Sequence, residues 1–334
     1  MPDVGFVVGG PMTAIADMAR MAEDGGYESI WVAETAYSAY VQAGLACQAT
    51  SRVTVGTNIA LAFPRSPTTT GMTARDLQEL SGGRFILGLG SQVKRVNEHR
   101  FSVHFEHPAP KMVEYVEVVR EVLGTFGGDR IEHRGRFYTV TMNPFPGAAP
   151  VPPVPIYIAA VNEKMLEAAG RVADGVLGHP LTSPAYLKEV VRPALERGAA
   201  AAGRDPSEVS LTNSVILQLN EDRERARFEA ALQIAFYATT RTYRPVLDLH
   251  GFGELVGDLR EAFGKGDLGR MAEIAMPMVD TYAIAGPEEE CRARLGEFDG
   301  LVDRILLGGA WVGPDPRAIA DNYRRILETF RPAG

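Results

Sequence analysis

Cysteine is scarce in this chain: two residues in 334, Cys47 and Cys291. A disulfide framework is therefore excluded, and neither thiol has metal-ligand spacing. Both lie in helix-like segments and read as reduced, buried small hydrophobes of a cytoplasmic protein. Long apolar runs are missing too. None reaches the ~18 residues that spanning a bilayer requires, and the N-terminus has neither a basic nor a long apolar leader. No membrane role and no export are expected. Basic charge is not in excess, with 34 Lys+Arg against 42 Asp+Glu and a net charge of −8. With no basic run and no stacking platform, a nucleic-acid partner is not expected. The common catalytic signatures are absent as well: no Ser-His-Asp order, no HExxH, no metal cluster and no Walker loop. The expected metal set is none. The Gly88-Leu89-Gly90 pair is not a dinucleotide fingerprint, because the third glycine and a prompt helix are lacking.

What is present is a rhythm. Hydrophobic residues make up 46% and charged residues 23% of the chain, the balance of a globular protein. Short Val- and Ile-rich runs alternate with helical patterns: 4–8, 27–32, 53–61, 85–89, 154–160, 175–178, 209–219 and 302–307. Runs that are apolar on both faces indicate a parallel sheet. About eight such strands in a chain of this length predict an α/β protein of the TIM (β/α)8 barrel type, a single domain over residues 1–334. The rhythm breaks twice, which places insertions at about 95–153 and 238–280. Within it, Pro67–Leu80 reads as a helix closed by Ser81-Gly82-Gly83, and Thr13 reads as an N-cap.

In a barrel of this kind ligands bind at the carboxyl ends of the strands. Those ends bring Glu34, Gly90 to Lys94, Ala159 to Asn162, His179, Asn213 to Leu219 and Gly308 to Trp311 around one pocket. Gly88 and Gly90 would let a ligand approach the backbone, Ser91 and Gln92 can donate hydrogen bonds, and Lys94 with Arg95 attracts anions. Glu34 is either a cavity acid or a cap for the next helix. His179 is either a donor or acid at the mouth, or a packed histidine satisfied by backbone. Trp31 and Trp311 read as core or pocket wall. A pocket so poor in acids, bases and nucleophiles suits a cofactor that brings its own reactivity.

The segments GTNIALAFPRSP (56–67), LSGGRFILGLGSQVK (80–94) and YIAAVNEKMLEAAGRVADGVLGHP (157–180) resemble the luciferase-like monooxygenase superfamily. In particular they are similar to its coenzyme F420-dependent oxidoreductase branch. The resemblance implies a bacterial-luciferase-like barrel binding a deazaflavin, coenzyme F420, or alternatively FMN. It further implies a non-prolyl cis peptide at Asn58-Ile59 beneath the cofactor ring. Gly90, Ser91, Gln92 and Lys94 would lie along the cofactor tail, and Ala159, Ala160 and Val161 would offer N–H groups to its phosphate. Tyr37 stands where close relatives often carry a histidine, and an unperturbed phenol pKa near ~10 makes it a donor and not a base. The implied function is hydride transfer between the deazaflavin C5 and a small organic substrate, with Glu34, Tyr37 and His179 as polar substrate contacts. An FMN-dependent monooxygenase and a non-catalytic cofactor-binding barrel are the alternatives. A homodimer is the family expectation.

Overall fold

Eight parallel strands close into a barrel in the computed structural model, which describes residues 2–145, 147 and 151–332. In chain order the barrel strands are Asp3–Val8, Ser29–Val32, Thr54–Thr57, Phe85–Gly90, Ile156–Ala159, Gly175–Gly178, Ser210–Leu219 and Arg304–Gly308. The first strand pairs with both the second and the eighth, so the sheet has no free edge along this ring. Each expected apolar run overlaps one of these strands.

Side chains alternate across the sheet. Outward residues such as Phe6, Ile30, Leu87 and Ile158 are fully buried beneath the surrounding helices. The inward set is a separate cluster, built on Trp31, Ile86, Tyr157, Leu177 and Leu306. Trp31 and Tyr157, with ring centroids 6.1 Å apart, fill the lower interior, and Gly56 gives the indole its room. The barrel is therefore plugged below. Above the plug, inward-facing Val7, Ile59 and Ala159 are only partly buried, so the interior opens at the carboxyl ends of the strands.

Several boundaries differ from the sequence expectation. The stretch around 95–153 is not wholly an insertion. Its helix Pro108–Thr125 packs against the helices Pro67–Leu80 and Glu163–Val172, which is the place of a regular barrel helix. The extra part is the hairpin Ile131–Arg134 with Thr139–Met142, whose turn is held by Glu114 accepting from the N–H groups of Arg136, Phe137 and Tyr138. The loop expected over 144–155 lies partly outside the described residues. The 238–280 segment is helical, with Arg244–Leu249, Val256–Lys265 and Leu268–Ala275. It returns through an unforeseen strand, Ala283–Gly286, which extends the upper end of the seventh strand. Thr13 is not a helix cap. Pro11 starts a 3-10 turn over Met12–Ala14, and the helix follows from Ile15.

Candidate functional site

The floor of the open end is made where the third strand stops. After Thr57 the Asn58-Ile59 peptide is cis, and the chain resumes as Ala60–Leu61 alongside the fourth strand. The bulge is held from three sides. Asn58 N donates to Val32 O at 2.7 Å, Glu34 N donates to Ile59 O at 3.1 Å, and Asn58 Nδ2 reaches Ser214 Oγ at 3.0 Å. Thr57 Oγ1 exchanges hydrogen bonds with the carbonyl and N–H of Gly88, at 2.7 and 2.9 Å.

The glycines of the fourth strand have a structural use of their own. A Cβ at Gly88 would collide with the Thr57 carbonyl, and one at Gly90 with the Ile59 side chain. They make room for the protein's own bulge.

Glu34 is not a free cavity acid. Its carboxylate accepts from Arg65 Nη1 and Nη2 at 2.8 and 2.5 Å and from Leu61 N at 2.8 Å. The pair is largely enclosed, and the carboxylate's hydrogen bond hold Arg65 above its usual range against the opposing effect of burial. Three donors on its two oxygens commit this carboxylate to the protein's own groups. Tyr37 lies in the bend that precedes the helix Ala39–Ala49 and is 42% exposed. Arg100 donates to Thr35 O at 2.7 Å and ties that bend to the helix Lys94–Arg100.

Along the expected tail, Ser91 and Gln92 are half-buried and Lys94 is exposed, 3.8 Å from Glu98. Gln92 adopts a left-handed φ of 55° and its own Oε1 accepts from Val93 N at 3.0 Å. Asn97, fully buried, fixes the turn by donating to the carbonyls of Ser91 and Val93 at 2.9 and 3.1 Å. On the neighbouring strand end, Ala159 and Val161 are half-buried. The Ala160 N–H is already spent on Leu177 O at 3.3 Å. The helix Glu163–Val172 begins at Asn162 without a side-chain cap, so its first N–H groups keep the positive end of the dipole for an anion.

His179 follows the sixth strand with the same inward parity as Gly175 and Leu177. Its ring stacks on Tyr243 with centroids 4.2 Å apart and meets Tyr237 edge-on at 4.5 Å. Nδ1 accepts from Leu181 N at 3.0 Å, which leaves the proton of the neutral ring on Nε2. Burial lowers its pKa to about 3. With its pKa held down by burial, it is an uncharged donor at neutral pH.

Sequence reasoning missed Arg65, Ser214, Gln233, Tyr237 and Tyr243. Ser214 lay within the strand-end stretch already singled out. Tyr237 and Tyr243 carried no local signal, because their partner sits on a distant strand end.

The family model described as luciferase-like monooxygenase matches residues 4–304. An uncharacterized protein of Mycobacterium tuberculosis is 41% identical over 300 residues, covering 87% of this chain and 88% of that protein. A 5,10-methylenetetrahydromethanopterin reductase of Methanolobus tindarius is 29% identical over 322 residues, covering 93% and 94%. Among solved structures, the coenzyme F420-dependent tetrahydromethanopterin reductase from Methanopyrus kandleri superposes with a TM-score of 0.79 at 25% identity, covering 98% of each chain. With nearly the whole length matched, the chain belongs to the luciferase-like monooxygenase family.

Proposed function

We propose that the protein is a coenzyme F420-dependent oxidoreductase that transfers a hydride between the deazaflavin C5 and a small organic substrate. The observation that carries this reading is the floor at the open end of the barrel. The Asn58-Ile59 bulge presents Ile59 together with Val7 and Ala159, partly buried apolar side chains packed on the inner cluster of the barrel. A flat tricyclic ring rests on such a surface. The uncapped start of the helix Glu163–Val172 and exposed Lys94 fit the anionic tail that such a cofactor carries. The similarity to F420-dependent tetrahydromethanopterin reductase supports the same cofactor.

When bound, the deazaflavin supplies the hydride chemistry. The chain's own residues then bind, orient and exclude water. Val7, Ile59 and Ala159 would hold the ring by apolar contact. Asn58 and Ser214 hold the bulge in register across the barrel. His179, neutral with Nε2–H free of the Leu181 bond, donates a hydrogen bond at the mouth. In this reading the protein is a cytoplasmic homodimer acting on a small molecule. Glu34 enters through Arg65 as a structural group, and Tyr37 stays a candidate donor at the rim.

An FMN-dependent monooxygenase and a non-catalytic cofactor-binding barrel are the competitors, because the same floor accepts either ring. An anaerobic assay separates them. Reduced F420 is mixed with the protein and a panel of small ketones, aldehydes and imines, and its reoxidation is followed. Hydride transfer without oxygen is the expected result. Turnover seen only with reduced FMN and oxygen would move the protein to the monooxygenase reading, and no turnover with either would favour the binding barrel.

A further inference from the structure

The wall of the mouth on the side of the sixth to eighth strands is built from rings. Tyr237, in the last turn of the helix Arg223–Ala238, meets His179 edge-on. Trp311, three residues beyond the eighth strand, donates its indole N–H to the Tyr237 hydroxyl at 3.3 Å and packs edge-on against Phe236 at 5.2 Å. The Trp311 side chain is 45% exposed, so part of the indole is open to a ligand.

The polar groups of this wall are oriented by their partners. Gln233, one turn before Tyr237 and 1% exposed, accepts the N–H groups of Trp311 and Val312 on its Oε1, at 2.9 and 3.1 Å. Its Nε2 is thereby turned away from that loop, and it is buried without a hydrogen-bond partner of normal geometry. It faces the Tyr237 oxygen, as the indole N–H does. With the indole N–H donating to its oxygen, Tyr237 has its own proton left to give. Burial pushes the phenol up to about 12, so that proton stays on. His179 likewise presents only Nε2–H. Among the described residues, no ion pair or cation–π contact involves His179, Tyr237, Tyr243 or Trp311.

We propose that this wall is the substrate subsite and takes an uncharged, flat compound bearing a carbonyl oxygen, with Trp311 against its face and the Tyr237 hydroxyl donating to that oxygen. An anion would lose its hydration against rings and donors that carry no charge of their own. A cation would be drawn to the ring faces, but the polar groups it would meet, His179 Nε2–H and the Tyr237 hydroxyl, are donors with no acceptor to offer it. The proposal rests on the oxidoreductase reading for what happens to the ligand, and not for its binding.

The test is calorimetric titration of the full chain, without cofactor, with 2-acetonaphthone, naphthalene, 2-naphthoate and a naphthyl-trimethylammonium salt. The ketone is expected to bind roughly 5–10-fold more tightly than naphthalene, the worth of one neutral hydrogen bond. Tyr237→Phe, which keeps the ring, should bring the ketone down to naphthalene and leave naphthalene unchanged. Trp311→Leu should weaken both. Equal or tighter binding of the naphthoate or the ammonium salt, or a ketone affinity untouched in Tyr237→Phe, overturns the proposal. Because no cofactor is present, that failure is distinct from a failure to bind F420.

Discussion

Asn58 and Ser214, 156 positions apart in the chain, are joined across the mouth of the barrel by a hydrogen bond of 3.0 Å from Nδ2 to Oγ. The bond ties the third-strand bulge to the seventh strand and so fixes the height of Ile59 in the floor. Ser214→Ala should cost about 0.5–1.5 kcal/mol of stability, read by denaturant unfolding. F420 affinity should fall in the same variant, because the floor loses its cross-barrel tether. Unchanged stability and affinity would mean that the bulge is held by backbone contacts alone.

Glu34 is a structural carboxylate in this account. Glu34→Gln leaves the Arg65 guanidinium enclosed without its charge partner, and the expected loss is about 2–4 kcal/mol. Turnover per folded molecule should change little. A fall in kcat of about 100-fold or more at unchanged melting temperature would instead make Glu34 the acid or base that the sequence left open.

The two glycines of the fourth strand should behave differently when given a methyl group. At Gly88 the obstacle is the Thr57 carbonyl, which is backbone, so Gly88→Ala should be the more destabilising change. At Gly90 the obstacle is the tip of the Ile59 side chain, which can rotate. Gly90→Ala should therefore be milder in thermal unfolding but should weaken cofactor binding, because Ile59 must leave its place in the floor. The reverse order of stabilities would show that the bulge yields more readily than the side chain.

His133 predicts a pH dependence away from the site. Its ring sits between Glu121, 3.1 Å from Nδ1, and Glu114, 3.5 Å from Nε2. Burial opposes the charged form, but the two carboxylates outweigh it and raise the pKa above the ordinary histidine value. A group with a raised folded pKa adds stability that is fully present below its unfolded pKa and is lost as pH rises through the folded value. Wild type should therefore exceed His133→Gln in melting temperature at acidic pH, with the gap closing toward alkaline pH. A gap that widens on raising the pH would contradict the assignment.

Much of the barrel was legible because both faces of each strand are buried, which writes the strands as continuous apolar runs such as Phe85–Gly90. The helix Pro67–Leu80 was readable to the residue. Ser66 Oγ accepts from Thr69 N at 3.1 Å, Pro67 opens the first turn, and Gly82 and Gly83 with positive φ close it. What failed depended on tertiary partners. Glu34 looks the same in sequence whether it faces a cavity or Arg65, 31 residues on. The strand Ala283–Gly286 is too short to announce itself and exists because the seventh strand runs past its neighbours. Tyr237 sits in an unbroken helical pattern, and only the fold brings His179 and Trp311 to it. The cis bulge at Asn58-Ile59 followed from the resemblance and not from any local signal.

The central claim is that the open end of this barrel holds coenzyme F420. The direct measurement is a fluorescence titration of the purified cofactor-free protein with F420 and, separately, with FMN, run beside Gly90→Ala. The account predicts tight binding of F420, weaker binding of FMN, and a loss of F420 affinity in the variant while its fold is retained. Preference for FMN would place the protein on the oxygen-using side of its family. Binding of neither would contradict the assignment of the floor as a cofactor site.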